Sequence, residues 1–196
     1  MSVLSGLTTL ISPAVVGMIS YVLSALALYT LAQRRGIPHG WMAWVPVLNV
    51  WVLGSLSDQY RYVSRGECRS KRKTLLILRI LKTVFGLVVL GAGLVLTVGI
   101  MGVFLGEFTK EAVLRWVMGP SAGVLALGVP LLGITVAYLI IQYMALYDVF
   151  LSCDPQNAVL FLVLSIFVGV TKPFFLFACR GKDYGMPPRR PRQEEN

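Results

Sequence analysis

Asp148 and Asp154 stand six residues apart at the end of a long apolar run, and paired carboxylates at such a boundary could hold a cation or a headgroup-bound metal. The plainer alternative pairs Asp148 with arginines of the basic stretch and makes Asp154 the N-cap of a helix whose first residue is Pro155. Gln142, Tyr143 and Tyr147 bring polarity into an apolar run, and Lys172 interrupts another. Such residues either line a polar path or hydrogen-bond one helix to the next, and a lysine in lipid needs a partner or water.

Other chemistry is excluded by what is missing. With His39 as the single histidine, no two-histidine zinc motif can form, and Cys68, Cys153 and Cys179 have no finger or C-x-x-C spacing. The phosphate loop, the nucleophile elbow and the dinucleotide-binding glycine pattern are all absent from the sequence. No residue is assigned a catalytic role, and neither a cofactor nor a metal is expected.

The elements that must position these residues are set by composition. Of 196 residues, 56% are hydrophobic and 14% charged, more apolar surface than one soluble core of this length hides. The apolar residues come in long uncharged runs, at about 14–32, 84–105, 122–147 and 158–178, near the roughly 20 residues that cross a bilayer. The expected fold is all-α: a polytopic membrane helical bundle of about four membrane segments, forming one domain over 1–180, with the first span retained. A polar, proline-rich tail over 181–196 is expected to be disordered after Pro188.

Between the first two spans, residues 37–56 are apolar and aromatic but broken by Pro38, Gly40, Pro46, Asn49 and Gly54. This stretch reads as an interfacial or re-entrant hairpin, with a full crossing as the alternative. Trp41, Trp44 and Trp51 suit the headgroup zone, Pro46 bends the chain, and Asn49 can satisfy backbone groups that the bend frees. A basic loop over 57–73 follows, carrying Arg61, Arg65, Arg69, Lys71, Arg72 and Lys73. Such a loop marks the cytoplasmic side and offers contacts to anionic headgroups.

The net charge of +9 is explained in the same way, without nucleic acid. Glycines fall on two sides of the 84–105 span, Gly86 and Gly93 on one and Gly91, Gly99, Gly102 and Gly106 on the other. They favour close packing inside the chain, with homo-oligomer formation as the alternative. One conflict remains: three crossings would separate the basic loop from the tail, yet the tail is basic too. Thr171, Lys172 and Pro173 offer a way out, by turning the last run into a re-entrant hairpin.

Several short motifs carry a resemblance: Gly40-Trp41, Ala43-Trp44, Pro46 and Asn49; Ser57-Asp58-Gln59-Tyr60; Ala145-Leu146-Tyr147-Asp148; Ser152-Cys153-Asp154-Pro155; Pro173-Phe174-Phe175; and Lys182-Asp183. Together they resemble a family of uncharacterised small multi-pass membrane proteins of Gram-positive, clostridial-type bacteria, over most of the chain from residue 30 onward. The G-W-x-A-x-x-P-x-x-N core is similar to a wider bacterial group in which that segment lies between two spans. The resemblance implies a bacterial plasma membrane location and no particular activity. The expected role is that of a non-enzymatic, membrane-organising protein whose basic loop and tryptophans bind anionic lipid or a membrane-protein partner. A small transporter or channel component using Gln142, Tyr143, Tyr147 and Lys172 is the alternative, followed by a lipid-modifying enzyme using Asp148 and Asp154.

Overall fold

A computed structural model describes residues 13–66, 70–106, 111 and 118–186. Its elements are helical: α1 (Pro13–Arg34), a 3-10 helix (Gly40–Trp44), α2 (Asn49–Arg65), α3 (Lys71–Phe104), α4 (Gly119–Cys153), α5 (Ala158–Phe167) and α6 (Thr171–Cys179). Of these, α1, α3 and α4 are long and apolar enough to cross a membrane. At about 1.5 Å per residue, α3 and α4 each exceed 50 Å, well beyond a hydrocarbon layer of about 30 Å. Contacts divide the chain into two compact units, Met1–Leu76 with Ile141–Asn196 and Ile77–Ile140.

In the first unit, α1 packs most extensively on α6 and on the 3-10 helix. Small residues allow this, since Ala25, Ala27 and Ala32 are buried together with Leu28 and Leu31. Gly40 approaches so closely that an added Cβ would sit 3.5 Å from that of Ala32. The segment then runs back along α1 until the backbone oxygen of Trp44 accepts a hydrogen bond from the Tyr21 hydroxyl. Tyr21 lies about 20 Å along α1 from Arg34. Pro46 sits in the turn that reverses the chain, and α2 returns to the end bearing Arg34, where the Gln59 amide donates to the Arg35 carbonyl.

The basic loop expected over 57–73 is correspondingly shorter. Nothing in Ser57–Arg65 breaks a helix, so α2 continues to Gly66, whose φ of 70° and N–H bond to Tyr62 close it. Arg69 and Cys68 lie outside the described residues. The next helix starts at Lys71, ahead of the apolar run at 84–105, with Asp58 accepting its first N–H groups from Lys71 at 2.9 Å and Arg72 at 3.2 Å.

The run at 158–178 is not one helix. Residues 168–170 break it into α5 and α6, of about 15 and 14 Å, each too short to cross a bilayer. The Thr171 hydroxyl donates to the Leu164 and Val168 carbonyls at the break, and Pro173 falls in the first turn of α6, where its missing N–H has no helical partner to lose. Stacked Phe161 and Phe175 rings, 4.7 Å apart, tie the two arms together. Both arms end near the C-terminus of α4, because α5 begins five residues after Cys153 and Lys182, three residues past the end of α6, pairs with Asp154 at 3.4 Å.

The second unit contains the remainder of α3 and α4. Arg79 and Lys82 place their cations 5.7 and 5.2 Å from the Tyr138 ring centre, and Tyr138 is buried. The rest of the unit presents exposed apolar side chains, Leu87, Val98, Leu125 and Val129 among them. The expected glycine packing is not found at Gly86, Gly91 or Gly93, where an added Cβ would meet nothing within 4 Å among the described residues. Helix α4 runs unbroken through Pro130.

Candidate functional site: an ionic clasp and a polar niche

In water a cluster of apolar helices is driven together by solvent; in lipid that drive is absent, and polar contacts acquire more of the task. The charged end of the first unit contains such contacts around Asp148, Asp154 and Asp183. The Asp148 side chain, 6% exposed, accepts from Ser57 Oγ at 2.5 Å, Arg61 Nε at 2.9 Å and Lys71 Nζ at 2.6 Å. These donors come from α2 and the first turn of α3, so one carboxylate joins three helices. Gly54 makes the approach sterically feasible, as a Cβ there would lie 2.5 Å from the Arg72 Cα.

A second carboxylate joins the two extremes of the unit. Asp183 pairs with Arg34 at 2.9 Å and with Arg35 at 2.8 Å, and the Arg35 side chain is 3% exposed. The backbone nearby is docked as well: Arg34 donates to the Arg180 carbonyl, and the N–H groups of Tyr184 and Gly185 donate to the Cys153 and Ser152 carbonyls, which the end of α4 would otherwise leave unpaired. A Cβ on Gly185 would fall 1.9 Å from the Leu151 oxygen, so only glycine fits. The stretch 180–186 is therefore a docked strap, and only 187–196 of the expected disordered tail lies outside the described residues.

The expected helix cap at Asp154 is a misreading. Helix α5 begins at Ala158, three residues later than the aspartate–proline pair suggests, with Asn157 at its N-cap position and Pro155 in the preceding turn. Asp154 instead accepts from Asn157 Nδ2 at 3.1 Å and Lys182 Nζ at 3.4 Å. The Asn157 side chain, then Lys182, hold its carboxyl below the usual 3.8. Asp58 moves the other way: burial pushes its carboxyl above 3.8 and outweighs the backbone donors of Arg72 and Lys71. Asp148 and Asp154 are each engaged by their own donors, and no group of three or more His, Cys, Asp and Glu suited to a metal occurs among the described residues.

Of the residues expected to line a polar path, Gln142 and Lys172 border a niche of about 60 Å³, whose other polar walls are Ser24 and Asn49. It is deep, since Ser24, Asn49 and Gln142 lie about 15, 12 and 9 Å along their helices from Arg34, Ser57 and Asp148. Asn49 and Lys172 belong to the first turns of α2 and α6, so two helix N-termini, the ends with positive partial charge, open toward it. The volume is well under the roughly 150 Å³ that holds a benzene, and it suits a few waters or a monatomic ion. Asn49 does not use its oxygen to satisfy the bent backbone; Oδ1 is buried without a partner among the described residues. Tyr143 stands beside the niche, its ring 6.0 Å from Lys172 Nζ, while Tyr147 is not in the lining.

The expected lipid-binding residues separate into two groups. Arg61 and Lys71 are consumed by Asp148, whereas Arg65, Arg72 and Lys73 are exposed. Trp41 and Trp44 are exposed and Trp51 is half-buried, yet Trp44 lies far along α1 from the charged end. Sequence reasoning missed Arg35, Ser57, Asp183, Gly54 and Gly185, although Ser57, Asp58, Asp148, Asp154 and Asp183 all fall in the motifs that carried the resemblance. Comparison with protein-family models, with curated proteins and with solved structures finds no match for this chain.

Proposed function

We propose that this chain is a non-enzymatic multi-pass protein of a bacterial plasma membrane, which organises lipid or a membrane partner through exposed cations at its clasped end. On this reading α1, α3 and α4 cross the bilayer, while residues 37–56 with the start of α2, and the α5–α6 pair, enter and leave from one side. That topology removes the charge conflict, because the basic stretch and the strap then share the cytoplasmic side. Membership of the clostridial-type family is part of the same proposal.

The observation that carries the lipid-binding reading is the division of the cations. Arg34, Arg35, Arg61, Lys71 and Lys182 are paired with carboxylates, while Arg65, Arg72 and Lys73 are exposed with no ion pair among the described residues. Each exposed cation at an anionic surface contributes about 1 kcal/mol. The test replaces Arg65, Arg72 and Lys73 together by Gln and measures phosphatidylglycerol retained on purification from mixed-lipid vesicles. Retention should fall strongly, and unchanged retention in a folded triple variant defeats the reading.

The niche favours a second reading, a small channel or transporter component. An ammonium, two amides and two helix N-termini, with no carboxylate in the lining, suit a small neutral or anionic solute. Chloride flux into proteoliposomes that is lost in Lys172→Gln supports it; flux equal to that of empty vesicles argues against it.

A further inference from the structure

Two cysteines that are 26 positions apart in sequence meet beneath the strap, and neither reading above gives them a task. Cys153 ends α4 and Cys179 ends α6, and Lys182, whose N–H bonds the Cys179 carbonyl at 3.0 Å, reaches Asp154 beside Cys153 at 3.4 Å, so the two helix ends and their thiols are neighbours. Both are buried. Arg35 Nη2 is 3.6 Å from Cys153 Sγ, and Ser152 Oγ is 3.9 Å from it. A positive charge beside one sulfur, with a second sulfur in reach, is the arrangement in which thiols act as nucleophile and resolving partner. The remaining charges around the pair are Asp183, Asp154 and Lys182. The strap closes over it, since Tyr184 N–H bonds the Cys153 carbonyl and Asp183 holds Arg35.

We propose that Cys153 and Cys179 form a redox-modification site, oxidised to a disulfide by peroxides and so locking the α5–α6 hairpin to the end of α4. The Cys153 thiolate attacks one oxygen of hydrogen peroxide, the O–O bond breaks, and the departing hydroxide takes up a proton to leave as water. Cys179 then attacks the resulting sulfenic sulfur, the S–O bond breaks, and a second water leaves with the Cys179 proton. Overall, two thiols lose two electrons and two protons while one peroxide is reduced to two waters. The strap sets the rate by covering the pair, and Arg35 positions and polarises the attacking sulfur.

The experiment uses the full chain with Cys68→Ser in vesicles, treated with hydrogen peroxide, then denatured and alkylated with a maleimide. The expected product carries no maleimide, weighs two hydrogens less than the reduced chain and yields a linked peptide pair containing Cys153 and Cys179. With Cys179→Ser added, dimedone should label Cys153. Asp183→Asn, which loosens the strap, should speed disulfide formation several-fold in a protein that still elutes as a folded species. Retention of both maleimide sites under peroxide that fully oxidises free glutathione overturns the proposal, as does a disulfide that forms only between chains.

Discussion

Asp148 binds two cations and a hydroxyl from inside the protein, so its removal strands charge rather than merely deleting a contact. Asp148→Asn should lower stability by about 3–5 kcal/mol, the range for breaking a buried ion pair from one side. Denaturant melts in detergent micelles check this, and Arg65→Gln, at an exposed cation, should stay within about 0.5 kcal/mol of the parent. Acid acts on Asp154 through the strap. Its carboxyl is held below 3.8 when folded, so its contribution is complete above 3.8 and is lost as pH falls through the folded value. The melting advantage of the parent over Asp154→Asn should therefore be constant above that pH and narrow below it. Asp58, shifted upward by burial, has the opposite sign: its contribution falls as pH rises from 3.8 through its folded value. The Asp148–Arg61 pair was legible, since a carboxylate closing an apolar run needs a cation and the basic stretch offers one; the strap was not, because Arg35 and Asp183 are 148 residues apart and nothing local to either announces the other. The Asp154 cap is not realised because residues 155–157 form a turn before α5 starts, with Asn157 at the N-cap position donating its side-chain amide back to Asp154.

Elements were easier to foresee than their partners. Uncharged runs announced α1, α3 and α4, and Thr171, Lys172 and Pro173 marked where the last run breaks, because a threonine, a cation and a proline together disfavour a continuous helix in lipid. The extent of α2 was hidden by its charge, which suggested a loop although only Gly66 ends the helix. Gly54 shows why composition alone misleads: it was read as a breaker, yet it sits mid-helix, where it lets the first turn of α3 approach. Gly54→Ala should cost about 1–3 kcal/mol through overpacking, despite alanine being the better helix former. Gly86→Ala, where an added methyl meets open space among the described residues, should be neutral or slightly stabilising. Paired thermal melts of the two variants separate packing from propensity.

For the molecule as a whole, the proposed topology puts the clasp and both hairpin entrances on one face. Single cysteines at Ser64 and Gly181, both exposed, should react with an impermeant maleimide from the same side of sealed vesicles, and one at Ser121 from the other. Labelling of Ser64 and Gly181 from opposite sides would restore a full crossing for the last apolar run. The three helices of membrane-spanning length were readable from composition and run length; the meeting of the strap with Arg34 and Arg35 was not, since it depends on the break at 168–170.

The strap also imposes an order of events on biogenesis. Asp183 is made 148 residues after Arg35, so over that interval the guanidinium that will be nearly sealed inside the protein lacks this counter-ion. Arg35, just past the end of α1, must stay solvated until Asp183 emerges, so its burial follows the folding of the segments between them rather than nucleating it. Truncation after Arg180 should leave the spans inserted but prone to proteolysis at the charged end, a defect that supplying the remaining stretch in trans should relieve.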